Sequence, residues 1–167
     1  MRAGDAAGGE LAAQAVAHLA ARPVENNVPL TLLDAAGGAT RVAVVSTAAH
    51  PLGAAVSSPD GRLVLSTMPA AAAGALAHAW VGWQALLSGV SGPAEAARAF
   101  AAAWAQVSGQ AATLAMRQQI FRLDVVESPP GVPGRARRAA RDDLELVLRW
   151  SAAFDAETGV ADADVRA

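Results

Sequence analysis

Asp142, Asp143 and Glu145 are close enough in the chain for paired acid–base work, in which one carboxyl holds a proton while its neighbour stays ionised. They also open a helical pattern. Acids in a first turn meet the positive end of the helix dipole, so these three are read as a helix start. His18, His50 and His78 fall in separate elements with no acidic or histidine partner at ligand spacing, and no metal site is expected from them. The chain has no cysteine, which removes disulfides, thiolate nucleophiles and cysteine-held metals. Arg135, Arg137, Arg138 and Arg141 form a basic run, but acids follow it and no aromatic residues interleave to stack on bases. That run reads as a solvated linker and strand start. Trp80, Trp83 and Trp104 stand at helical spacing with Leu76, Leu87 and Phe100, which makes them core residues before it makes them the walls of a ligand cleft.

The elements that must position these residues come from a chain of 167 residues, 53% hydrophobic and 17% charged, the balance of a globular protein with one full core and room for a fragment of another. A net charge of −2 lacks the basic footprint of a nucleic-acid partner. The first ten residues carry acids and no apolar run, so no signal peptide is expected and the cytoplasm is the expected location. Residues 63 to 94 contain no charged side chain, long enough to span a bilayer. Yet this stretch is built on alanine and glycine, and its bulky residues Leu76, Trp80, Trp83 and Leu87 make a single stripe. One stripe of large side chains on a small-residue helix predicts packing on a sheet, not a membrane span.

Periodicity and turn chemistry predict a helix from Glu10 to Ala21, ended by Arg22-Pro23, and a shorter helix capped by Asn27 and stopped at Gly37-Gly38. Three strands are expected at 41–46, 52–57 and 62–67, the last two joined by the turn Ser58-Pro59-Asp60-Gly61. Helices are predicted over 69–87 and from Ser91-Gly92-Pro93 to Gly109, with Phe100, Trp104 and Val107 as the bulky stripe of the second. A long strand is expected over 111–126, with a bulge near Gln118-Gln119 where the alternation slips. Pro129 to Gly134 reads as a linker. Beyond it Leu144, Leu146, Val147, Leu148, Trp150 and Phe154 cover so wide an arc of one helix that cover from a second domain is implied. The expected organisation is a domain over 1–128, a linker over 129–134, and over 135–167 the first strand and helix of a second domain.

The run from Leu52 to Pro69, the segment Gly89-Val-Ser-Gly-Pro93 leading to Ala99-Phe100 and Trp104, and Phe121-Arg122-Leu123 together resemble the N-terminal half of bacterial tandem GNAT-superfamily N-acetyltransferases. Arg137, Ala139, Asp143, Trp150, Phe154 and Glu157 sit where the second, catalytic domain of such proteins opens. The resemblance implies an α+β fold, a three-layer arrangement of helices on a mostly antiparallel sheet. It implies acetyl-CoA as donor, a small-molecule or peptide amine that attacks the thioester directly, and a missing C-terminal GNAT domain as partner, with neither nucleic acid nor membrane involved.

The resemblance further implies a loop of the form Arg or Gln, two residues, Gly, one residue, Gly or Ala, between the fourth strand and the next helix. Its free N–H groups hold the pyrophosphate of CoA. Here that place is taken by Leu65-Ser-Thr-Met-Pro-Ala-Ala-Ala72, which has no glycine and includes a proline with no N–H to give. The pattern is met at Gln106-Val-Ser-Gly109-Gln-Ala111, but there it follows a helix and is read as a C-terminal turn. No catalytic or cofactor-binding residue is assigned, and the chain alone is expected to be inactive and to bind no cofactor. The alternative function is a non-catalytic domain that shapes an acceptor pocket or serves as an interaction surface.

Overall fold

In the computed structural model the described residues are 2–5, 9–35, 40–83, 87–127, 130–131, 133–135 and 137–158. The chain divides into two compact units, Met1–Thr113 and Leu114–Ala167.

The first unit is α+β. Strand β1 (Arg2–Asp5) is followed by helices α1 (Glu10–Ala20) and α2 (Asn27–Asp34), then by strands β2 (Arg41–Ser46), β3 (Pro51–Ser57) and β4 (Arg62–Leu65). Helix α3 (Ala70–Trp80), strand β5 (Gly89–Ser91) and helix α4 (Ala94–Ser108) complete it. The five strands lie in sequence order in one mixed sheet. Pairing is antiparallel from β1 to β4 and parallel between β4 and β5. A parallel pair needs a crossover, and α3 is that crossover.

Period-two alternation gives the sheet two apolar faces. Ala43, Val45, Ala55, Leu63 and Leu65 meet α3 and α4 through Ala72, Ala73, Leu76, Trp80, Phe100 and Trp104, while Val42, Val44, Ala54 and Val56 meet Ala15 and Leu19 of α1 and the leucines of α2. The sheet is thus sandwiched between two helical layers. Alanines on both sheet faces and on α3 let the helices lie close, and a Cβ at Gly74 of α3 would sit 3.9 Å from the Ala103 Cβ of α4. Phe100 and Trp104 stack at 5.9 Å, and Trp80 meets Trp83 edge-on at 5.4 Å. The turn between β3 and β4 has Gly61 at φ 82°, with Ser58 N–H bonded to Arg62 O at 2.8 Å. Asn26, not Asn27, holds the cap position of α2, and its side-chain amide reaches back 3.1 Å to Leu19 O at the end of α1.

Other expectations are corrected. The helix predicted over 69–87 ends at Trp80, because the chain tightens into three-residue turns as Gly82 N–H bonds to Ala79 O and Trp83 N–H to Trp80 O. Residues 84–86 of that stretch, like Gly37-Gly38 after α2, lie outside the described residues. The strand expected over 111–126 is not formed: the described residues give it no ladder partner, and a strand exists only by pairing. Strands β1 and β5 were not foreseen, being four and three residues long, too short for alternation to register.

The second unit holds a 3-10 turn (Arg141–Asp143) running into helix α5 (Leu144–Thr158). Residues 137–140 form no strand. Pro129 and Val132 of the linker lie outside the described residues. Leu144, Leu148, Trp150 and Phe154 are all exposed, Trp150 at 66%. Among the described residues no helix is long and apolar enough to cross a membrane.

Candidate functional site at the junction of β4 and α3

With β1 counted, β4 is the fourth strand, and the segment Ser66–Ala72 links it to α3. Ser66 is buried and doubly tied to β3: its N–H donates to Ala54 O at 2.9 Å, and its Oγ accepts from Ala54 N–H at 2.9 Å. Met68 then turns inward over β3. It fits only because position 53 is glycine, since a Cβ there would stand 2.6 Å from the Met68 Cβ. These contacts hold the junction rigidly against the sheet.

Pro69 occupies the cap position of α3 with φ −60° and ψ 147° and offers neither an N–H nor a capping oxygen from its side chain. Its carbonyl accepts from both Ala72 N–H, at 2.9 Å, and Ala73 N–H, at 3.1 Å. The amides of this helix end left over for an anion are those of Ala70 and Ala71. The ends of β4 and β5 also meet here. Gly92, at φ 148°, follows β5 so closely that a Cβ on it would lie 2.7 Å from Leu65 O. Backbone against backbone leaves no width for a ligand at that level. A CoA pyrophosphate therefore does not fit these residues: the loop has no glycine, one amide is missing and that of Ala72 is turned back onto Pro69 O. Between Leu63 and Ala73 the sequence contains no titratable side chain, so the junction has no acid or base to offer.

The other candidates are scattered. His18 lies on α1, its pKa lowered by partial burial and then by the charge of Arg22. His50 precedes β3, and the His78 ring bonds Gly74 O within α3 at 2.9 Å. Among the described residues no group of three potential ligands is placed to hold a metal. Asp143 accepts two hydrogen bonds from Arg137, at 2.6 and 2.8 Å, and one from Ala140 N–H at 2.7 Å. The Arg137 guanidinium, then the Ala140 amide, hold its carboxyl down to about 2. A carboxyl so engaged caps the helix start and is unsuited to proton exchange near neutrality. Trp80 and Trp104 are core; Trp83 is partly exposed, and its carbonyl accepts from the Arg41 guanidinium.

Gln106 to Ala111 forms the C-terminal turn of α4, with Gly109 at φ 75° and its N–H on Ala105 O at 3.2 Å. Sequence reasoning missed the side chain of Gln110, which the composition of a glutamine-containing turn does not betray. It bonds both the N–H and the C=O of Leu87, at 3.3 and 3.4 Å.

No family model matches the chain, and neither the curated proteins nor the solved structures searched with it give a match.

Proposed function

We propose that the chain is the N-terminal portion of an acetyl-CoA-dependent N-acetyltransferase of the GNAT kind, whose first unit has the family's layered form without its cofactor cradle. The observation that carries this reading is the order of elements around the junction: a fourth strand leads into α3, which crosses over to a strand parallel to it. That is where the resemblance places the phosphate loop. The junction as built does not suit CoA, so acetyl transfer to an amine belongs to a following domain, with acetyl-CoA, the acceptor and the catalytic groups held there. The exposed apolar face of α5 favours the same reading, because it fits a helix whose covering partner is absent.

The experiment is to read the DNA beyond codon 167 and, if the frame continues, to assay the extended protein with acetyl-CoA and a panel of primary amines. A glycine-rich loop between a strand and a helix downstream, with acetylation by the extended protein and none by residues 1–167, is the expected result. A stop followed by unrelated sequence would turn the reading toward a stand-alone acceptor-pocket or interaction domain.

A further inference from the structure

The segment Gln119-Ile-Phe-Arg-Leu-Asp-Val-Val-Glu127 has the composition of a strand and, among the described residues, no ladder partner. It is also bare, with Ile120, Phe121, Leu123, Val125 and Val126 between 55 and 84% exposed. A contiguous run of large apolar side chains in water marks a surface that something covers. The order of its residues says what that is.

Laid antiparallel against itself with Leu123 on the two-fold axis, the segment is complementary along its length. Residues directly opposite one another in an antiparallel pair share a face. Phe121 then stands opposite Val125 of the second copy and Leu123 opposite its own counterpart, which makes one face apolar. On the other face Ile120 stands opposite Val126, and Arg122 opposite Asp124, an ion pair that the two-fold axis supplies twice. Centring on Arg122 or on Asp124 instead sets like charges opposite each other, as does a parallel pair in register, and a slip of one residue sets Arg122 against Leu123. In the single copy the chain bends at Asp124, whose carboxylate accepts from Arg122 Nε at 2.6 Å. Both side chains are exposed, so this local pair is weak and open to exchange. Straightening the bend trades it for two pairs between strands and adds the backbone ladder that the segment lacks.

We infer that residues 119–127 are a self-recognition strand, which pairs antiparallel about Leu123 with the same segment of a second copy of this chain. The surface is separate from the junction of β4 and α3, and it does not rest on the acetyl-transfer reading. A two-stranded ribbon is marginal by itself in water, so the dimer is expected to be weak and concentration-dependent.

The test is sedimentation equilibrium at low salt of the full chain, of Arg122→Asp, of Asp124→Arg, and of the two variants mixed in equal amounts. The unaltered chain should approach twice its monomer mass as concentration rises. Each variant alone sets like charges opposite one another twice and should dimerise more weakly, on the order of tenfold. In the mixture every charge meets an opposite one, so association should return close to that of the unaltered chain, a rescue that neither misfolding nor general stickiness produces. A chain that stays monomeric up to about 0.5 mM would overturn the inference. So would single variants that associate like the unaltered chain, or a mixture that associates no more tightly than its components.

Discussion

Gly92 and Leu65 meet backbone to backbone, so that a Cβ at position 92 would stand 2.7 Å from the Leu65 carbonyl oxygen. This contact seals the ends of β4 and β5 together, and it depends on a glycine at φ 148°. Gly92→Ala meets both obstacles at once, a backbone angle unfavourable to side chains and a carbonyl that cannot move without breaking the sheet. We expect a loss of about 1–3 kcal/mol in urea melts. A loss below about 0.5 kcal/mol would show that the two strand ends separate readily.

The same closure, with Pro69 at the helix cap, argues against a cofactor site in the first unit. Calorimetry of residues 1–167 with acetyl-CoA should give no binding tighter than about 10 µM, equivalent to about −7 kcal/mol. Tighter binding would mean that Ala70 and Ala71 N–H groups suffice as a cradle, and that the catalytic site lies in this chain after all.

Much of this frame was legible in the sequence because its signals are local. Strands β2 to β4 are β-prone runs, Ser58 to Gly61 is turn chemistry, and Phe100 and Trp104 mark the buried face of α4 by spacing alone. What was not legible depends on distant partners. Strand β5 exists because Arg62 to Val64 lie beside it, and the strand-like residues 111–127 remain unpaired for want of such a neighbour. The closure at the junction is equally non-local, since nothing near Gly92 in sequence reveals Leu65. The glycine-free loop was readable, but the turning of the Ala72 amide back onto Pro69 O was not.

Trp104 stacks on Phe100, donates to Gln110 and is 5% exposed, whereas Arg98 on the same helix is exposed. Trp104→Ala should cost on the order of 3–5 kcal/mol, as for other buried aromatic truncations. Arg98→Ala should cost under about 0.5 kcal/mol. Comparable losses in the two melts would mean that this face of α4 is misassigned.

The start of α5 carries a pH dependence. Asp143 has a folded pKa of about 2 against an ordinary 3.8, lowered first by Arg137 and then by Ala140 N–H. A depressed carboxyl pKa adds stability in full above its unfolded value and loses it as pH falls through the folded one, so the loss falls between about pH 4 and pH 2. Arg137 is exposed and Asp143 partly so, and salt should weaken the effect. Helical signal from α5 should fade over that window in the full chain and should be lower and flatter in Asp143→Asn. An identical acid titration for the variant would show that the Arg137 pair contributes nothing to the helix.

Helix α5 and the central sheet should differ most in how often they open. Val42, Val44, Ala54, Ala55 and Val56 are buried completely or nearly so between two helical layers, and opening β2 and β3 means exposing both faces of the core. Leu144, Leu148, Trp150 and Phe154 are 57 to 66% exposed, so unwinding α5 uncovers little that water does not already reach. A helix of 15 residues whose large apolar side chains Leu144, Leu148, Trp150 and Phe154 are exposed is marginal in water, held here by its capping Asp143 and by propensity. Amides from Leu144 to Phe154 should therefore exchange by local opening, with free energies well below those of Val42 to Val45 and Ala54 to Val56. Adding the downstream domain should raise the protection of α5 and leave the sheet unchanged. Equal protection of α5 and the sheet in residues 1–167, in a demonstrated monomer, would mean that α5 is buried against the first unit and that the proposal of a missing covering domain is wrong.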